Sequence, residues 1–438
     1  MFTIYFWSKL DTKTQQTLLQ RPSQTPAWQQ SMREQTQTII DRVRMDQDTA
    51  LFDFTQQFDQ VQLTELTVSE KQWQEASQHV SSTAQKAIRF AYQRIYDWHA
   101  AQRSKPLQVT TYPGVTCEKH MRPIERVGLY VPGGSAPLVS TVLMLGIPAA
   151  LAGCRLRVLC TPPNAQGSVD PHILFAAKLC QIHTIYQVGG AQAIAAMAYG
   201  TQTIPKVSKI FGPGNGWVTQ AKLLVSQDAQ GACLDLPAGP SEVLVIADED
   251  ANPAFVAADL LAQAEHGPDS QVILITTSQR LGEQVRQYLT EQLTQLSRQT
   301  ILQQSLNHAR LLRVDSLEQA ITLSNQYAPE HLILNIKDAD AWVSHITCAG
   351  SVFVGPWAAE TLGDYTTGSN HVLPTEGYAD RLSGLGLSDF QTALHIQKIT
   401  QAGLLGIGET ASQLAALEGL DAHQLAVNLR LAQAEQTS

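Results

Sequence analysis

From residue 127 to residue 354, short apolar runs of β-type composition alternate with helical blocks nine times over. A strand joined by a helix to another strand of the same sheet lies parallel to it, because the helix carries the chain back along the sheet. The runs at 127–131, 157–160, 184–188 and 207–211 form one series, and those at 242–247, 271–276, 311–314, 332–336 and 351–354 form a second. Nine strands divide more naturally into two sheets of four or five than into one. The expected fold class is therefore α/β, with two doubly wound, incomplete Rossmann-like parallel-sheet domains and small N-terminal and C-terminal extensions. Residues 1–105 read as helical and Gln-rich, with Trp28, Met32, Ile39, Ile40 and Val43, and later Ile88, Ala91, Ile95 and Trp98, at helical spacing. Ser69 followed by Gln72 has the form of a capping box, and 107–121 reads as a hairpin around Pro113-Gly114. Past residue 356 the regularity lapses into an irregular segment, 357–387, and the chain ends in a strand (393–399) and two helices joined near Gly419. A tail that small has little core of its own, so it must pack on the rest of the chain or on a second subunit.

Composition narrows the partners. With a formal net charge of -9 and no block of like charges, nucleic acid and anionic membrane are excluded as natural partners, leaving a small-molecule substrate. The most apolar window, 138–153, is too short to span a bilayer comfortably, contains Pro148 and runs into Arg155 and Arg157, so a buried helix is expected there. Six scattered cysteines without Cys-x-x-Cys spacing read as reduced, which fits a cytoplasmic location. The first residues lack a basic n-region and a small-residue cleavage site.

Four groups of residues carry chemistry. Glu330 and His331 stand side by side after Pro329, at a helix-to-strand junction. Proline ends the helix and pushes Ala328 toward an extended conformation, giving a stiff mount for a proton-transfer pair. Three strand-to-helix turns share glycines, at 130–134, 188–192 and 211–215; glycines there let backbone amides approach a ligand, often a phosphate. A proper Gly-x-Gly-x-x-Gly is missing, and Gly406-Ile-Gly408, opening a C-terminal helix without a βαβ unit, does not replace it. Gln263 and His266 are three apart at a helix end, a spacing that suits two ligands of one metal and equally suits a histidine at the negative end of the helix dipole. Asp364, with His371 nearby, and His423, beyond Glu418 and in the first turn of a helix capped by Asp421, offer further donors. Such a set without thiolate suits zinc or manganese, although spacing alone does not assemble it. Ser241, just before the second strand series, is placed to bond a polar ligand.

These stretches together resemble one family. Arg126-Val-Gly-Leu-Tyr-Val-Pro-Gly-Gly-Ser-Ala-Pro137, Phe211-Gly-Pro-Gly-Asn215, Asp235 through Val243, Gln263-Ala-Glu-His-Gly-Pro-Asp-Ser270, Asn325-Gln-Tyr-Ala-Pro-Glu-His331 and Gly363-Asp364 through Pro374 resemble histidinol dehydrogenase, in order over nearly the whole chain. The resemblance implies oxidation of L-histidinol to L-histidine through L-histidinal, in two NAD-linked, zinc-dependent steps that close histidine biosynthesis. It implies Gln263, His266, Asp364 and His423 as zinc ligands, Glu330 and His331 as the catalytic pair, and Tyr130, Gln192 and Asn215 at the NAD site. Ser241, His371 and Glu418 match further substrate contacts, joined by His331 and the four metal ligands. It also implies a homodimer whose C-terminal tail completes the partner's site. The domain plan becomes an N-terminal extension (1–26), a discontinuous first α/β domain (27–129 plus 240–381), a second α/β domain on the NAD side (130–239) and the tail (382–438). A rival reading, a zinc hydrolase, leaves the glycine turns without a purpose. A second, an α/β scaffold whose metal staples two subunits together, is told apart, like the first, by whether the protein forms NADH from histidinol and loses that activity on chelation.

Overall fold

The computed structural model describes residues 3–21, 26–133, 137–237 and 239–436. Gly134, the last residue of the first glycine turn, and Ala238 lie outside them.

The chain opens with a short strand, β1 (Ile4–Phe6), where the sequence reads as helical. Helices follow, and the Ser69–Gln72 capping box is present at the start of Glu70–Glu75. The helix Pro26–Asp46 turns Ile40 and Val43 inward against the helix Gly190–Tyr199. Next comes the hairpin of β2 (Leu107–Tyr112) and β3 (Val115–Pro123), turning at Gly114 with φ +81°.

Five strands then alternate with helices: β4 (Arg126–Tyr130), β5 (Leu156–Cys160), β6 (Thr184–Tyr186), β7 (Lys209–Phe211) and the two-residue β8 (Cys233–Leu234). They form one parallel sheet in the order β6-β5-β4-β7-β8, so the strand order reverses between β4 and β7. β4 lies whole in this sheet, although a boundary at 129/130 would divide it. The apolar window forms the helix Val139–Ala152, buried through most of its length with Pro148 inside it. Proline has no N–H to give to the carbonyl four residues earlier. That carbonyl, on Met144, instead accepts a 2.8 Å bond from the Asn370 carboxamide. The missing helical bond thus ties this helix to the segment just before His371.

The second series is β9 (Glu242–Ala247), β10 (Gln271–Thr276), β11 (Arg310–Arg313), β12 (His331–Asn335) and β13 (Ser351–Val354). With β1 added at one edge it makes a six-stranded parallel sheet, β1-β11-β10-β9-β12-β13. Apart from that extra strand the order matches the first sheet, with the reversal between β9 and β12. β9, β10 and β12 are buried along their whole length, as continuous Val, Ile and Leu runs in a sheet covered on both faces require. At the carboxyl ends of β9 and β12 the Asp248 carboxylate accepts from the Lys337 N–H at 2.7 Å and the Asp250 N–H at 3.1 Å, bridging the two strand exits.

The irregular segment contains a short helix, Glu360–Tyr365, that carries Asp364. The last strand, β14 (Gln391–Ile399), pairs antiparallel with β3 to complete a three-stranded sheet, from which the helices Gln401–Leu417 and Asp421–Gln436 extend as an arm. Asp421 is the first helical residue rather than a cap, and Gly406 and Gly408 lie inside a helix that begins at Gln401. On this arm Leu414, Leu417, Leu425 and Leu429 are exposed by 55, 84, 57 and 63%.

Candidate active site

Glu330 and His331 sit at the amino end of β12, beside the amino end of β9. Ala328 is not extended, as its position before proline suggested. It takes the left-handed conformation (φ 50°, ψ 65°) and ends the preceding helix, Leu317–Tyr327, with its N–H on the Ser324 carbonyl. The chain then turns through Pro329 into β12, leaving Glu330 and His331 buried.

One residue of β9 holds both side chains. The backbone N–H of Glu242 donates to Glu330 Oε2 at 2.8 Å, and its carbonyl accepts from His331 Nδ1 at 3.0 Å. A carbonyl only accepts, so Nδ1 carries the proton and Nε2 presents its lone pair. Burial pushes the His331 imidazolium down to about 4, so the ring is neutral near pH 7 and able to accept a proton. Burial pushes the Glu330 carboxyl well above the ordinary range; the Glu242 N–H opposes this, and the charges of Glu242, Asp364 and Glu360 add to it. The two side chains are 3.6 Å apart, Nδ1 to Oε2.

Beyond Nε2 lies a group of metal-ligating side chains. Glu360 Oε1 is 3.8 Å from His331 Nε2, and one ligand atom each of His266, Glu360 and Asp364 lie within 4.8 Å of one another. Glu360 is 1% exposed and its Oε1 has no hydrogen-bond partner among the described residues; burial, and then Asp364, raise its pKa. Gln263 is fully buried, and neither its Oε1 nor its Nε2 finds a partner among the described residues. A buried amide with both polar atoms unsatisfied costs free energy unless something else engages it. Gln263 is near the end of the helix Pro253–Ala264, and His266 lies beyond that helix rather than on its face. His371 donates Nδ1–H to the Asp364 carbonyl at 3.0 Å, leaving Nε2 3.3 Å from Thr141 Oγ1. Thr141 belongs to the helix that follows β4, so the cluster faces the carboxyl end of the first sheet.

That end carries the glycine turns. Gly190 N–H donates to the Tyr130 hydroxyl at 3.1 Å, and Gln192, two residues on, is buried. Gly212 has φ +122°, and a Cβ there would stand 2.0 Å from the Tyr130 carbonyl oxygen, so only glycine fits between β4 and β7. Asn215 caps the helix Gly216–Ser226, its Oδ1 accepting from the Trp217 and Val218 N–H groups at 3.1 and 3.2 Å.

A family model described as histidinol dehydrogenase matches residues 22–431. The chain belongs to the histidinol dehydrogenase family. It is 50% identical over 432 residues to histidinol dehydrogenase of Legionella pneumophila strain Paris, covering 98% of this chain and 99% of that protein. It is 52% identical over 425 residues to the enzyme of Xanthomonas euvesicatoria pv. vesicatoria, covering 97 and 98% of the two chains. The solved histidinol dehydrogenase of Elizabethkingia anophelis superposes with a TM-score of 0.93 at 46% identity, covering 99% of this chain and 98% of that one.

Of the residues that the family resemblance singles out, one chain gathers Glu330, His331, His266, Asp364 and His371, with Ser241 adjoining the Glu242 that anchors the pair. It does not gather all four expected metal ligands. His423 and Glu418 are exposed near the turn between the two arm helices, outside the His266, Glu360 and Asp364 cluster. Glu360 itself was missed from the sequence. Its signal was position, a carboxylate one helical turn before Asp364, which places both on one face.

Proposed function

We propose that this protein oxidises L-histidinol to L-histidine through L-histidinal, as an NAD-linked, zinc-dependent enzyme of histidine biosynthesis in the cytoplasm. The observation that carries the reading is the paired anchoring of Glu330 and His331 on one residue, beside a cluster of metal-ligating groups. The donor set fits zinc: imidazole and carboxylate converge at His266, Glu360 and Asp364, and the Gln263 amide, without a partner among the described residues, is a neutral donor that an ion held there would engage. Gln263, His266 and Asp364, with His423 of the partner subunit, would hold the ion. When bound, it supplies a positive charge that favours the ionised carboxylates and a mount for the imidazole and amine of histidinol. NAD, in the crevice of Tyr130, Gln192 and Asn215, supplies the two-electron acceptor.

The chain's own residues then move protons. His331 Nε2 takes the hydroxyl proton as the carbinol carbon gives up its hydride, leaving the aldehyde. Glu330, with Oε2 fixed by Glu242, uses its other oxygen to deprotonate the water that adds to the aldehyde. Once His331 has passed its proton to solvent and a second NAD has replaced the reduced one, His331 takes a proton from the hydrate as its hydride goes to that NAD, giving the carboxylic acid, which ionises. Ser241, His371 and Glu418 of the partner subunit position the amino alcohol. Substrate, NAD and a second copy of the chain are the partners proposed. The exposed leucines of the arm support the homodimer, since an apolar helix face of that kind needs cover. No helix among the described residues is long and apolar enough to cross a membrane.

The test is turnover by His331→Asn and Glu330→Gln. His331→Asn is expected to lose both oxidations by about a hundredfold or more. Glu330→Gln is expected to retain oxidation of histidinol to the aldehyde while losing most of the second step. Wild-type rates of two NADH per histidinol in either variant would reject the assignment, and no NADH from the wild-type protein would reject the activity itself.

A further inference from the structure

The anchor of the catalytic pair is itself held by a residue from the start of the chain. Arg21 stands after the helix Thr12–Leu19, immediately upstream of the span that the family model matches. Its guanidinium forms a two-pronged ion pair with Glu242, Nε to Oε1 and Nη2 to Oε2, the latter at 2.9 Å. Nη2 also donates to the Tyr327 carbonyl at 2.9 Å and approaches the Ala328 carbonyl at 3.4 Å, while the guanidinium lies over the Tyr327 ring, 4.0 Å from its centre. Gly377, at φ +80°, leaves room for it; a Cβ there would come within 3.1 Å of Nη1. Glu242 is 2% exposed, and its Oε1 also accepts from the Glu376 N–H at 3.1 Å.

These contacts bracket the proton-transfer groups from both sides. Glu242 is the first residue of β9, and its N–H and carbonyl hold Glu330 and His331. Tyr327 and Ala328 are the last two residues before Pro329 and Glu330. One guanidinium therefore fastens the two pieces of backbone whose separation sets where Glu330 Oε2 and His331 Nδ1 lie. A buried ion pair is a poor device for stability, since well-packed apolar residues do as well or better. What a planar five-donor fork adds is fixed geometry at several acceptors, which a lysine does not reproduce.

We propose that Arg21 is a positioning residue for the Glu330 and His331 pair, acting through the Glu242 carboxylate and the Tyr327 and Ala328 carbonyls. The proposal rests on the reading of Glu330 and His331 as the proton-transfer groups. Small displacements of such groups cost rate rather than binding, so kcat is the quantity that moves.

The experiment compares full-length wild type, Arg21→Met, Arg21→Lys, Glu330→Gln and the double variant Arg21→Met with Glu330→Gln, recording kcat, KM for histidinol, bound zinc and Tm for each. Arg21→Met is expected to lower kcat about tenfold or more with KM within about threefold and zinc retained. Arg21→Lys, which keeps the charge but not the fork, recovers part of the loss. In the Glu330→Gln background the Arg21→Met change costs distinctly less than it does alone, because one of the two groups it positions is already disabled and only the displacement of His331 still counts. A folded Arg21→Met with wild-type kcat, or the same fold-loss in the Glu330→Gln background, overturns the proposal. If Arg21→Met does not fold, Arg21→Lys decides: a kcat reduced about threefold or more supports the proposal, and wild-type kcat overturns it. Full turnover by Glu330→Gln alone removes the underlying reading and the proposal with it. That failure is separable from the others because it arises with Arg21 intact.

Discussion

The two parallel sheets share a strand order and differ in which end carries the chemistry. In the five-stranded sheet the carboxyl ends are lined by glycine turns, and at the reversal between β4 and β7 Gly212 lies so close to the Tyr130 carbonyl that no Cβ fits. In the six-stranded sheet the corresponding carboxyl-end reversal, between β9 and β12, is bridged by the Asp248 carboxylate. The residues proposed for proton transfer, Glu330 and His331, and their anchor Glu242 stand at the amino ends of the same two strands. Topology offers a crevice at the carboxyl end of each doubly wound sheet; among the described residues Asp248 spans the one in the six-stranded sheet, and the other is the one proposed for NAD. The amino end of the other sheet supplies titratable groups, and Thr141 and His371 join the two.

Four substitutions test that division, from the largest effect downward. His266→Ala and His423→Ala should each lower turnover by about a hundredfold or more, since each removes a proposed metal ligand at the amino-end site. Mixed under conditions that exchange subunits, the two inactive proteins should recover about a quarter of wild-type activity, because one site in each mixed dimer is intact. No recovery would mean that the arm does not complete a neighbour's site. At the opposite end, Gly212→Ala forces a Cβ against the Tyr130 carbonyl. It should raise KM for NAD by about tenfold while leaving bound zinc unchanged, since strain of this kind displaces the turn locally. An unaltered KM for NAD would move the nucleotide elsewhere. The smallest functional effect belongs to the bridged crevice. Asp248→Ala should cost about 1–3 kcal/mol of stability in denaturant titration, from two backbone donors left without their acceptor, with KM for NAD within about twofold of wild type. A large rise in that KM would break the contrast between the sheets.

What the sequence made legible was local. Runs such as 242–247, 271–276 and 351–354 coincide with β9, β10 and β13 because Val, Ile and Leu in short blocks have few other places to go. Ser69 and Gln72 satisfy each other within one turn, so their box is readable without the fold. Ala328 departs from the expectation because the bias imposed by a following proline is weaker than the demand of the helix end and the turn into β12. β1 is too short to show a period, and its partner is remote. Glu360 and Arg21 take their meaning from convergence: nothing near either residue in the chain announces a neighbour on another element. His423 is a candidate donor in the sequence but joins the metal set only through the family resemblance, and a single copy leaves it exposed, outside the His266, Glu360 and Asp364 cluster.

The edge strand β1 also bears on the order in which the molecule can be finished. Ile4, Tyr5 and Phe6 pair only with Leu311, Leu312 and Arg313 among the described strands. On a ribosome they are made about three hundred residues before that edge exists, a very high sequence separation for a contact. The five-stranded sheet, by contrast, draws all its strands from a contiguous stretch and can close while synthesis continues. Completion of the six-stranded sheet is therefore a late event, and the β1 residues, made long before their partner strand, are among the last to find their place.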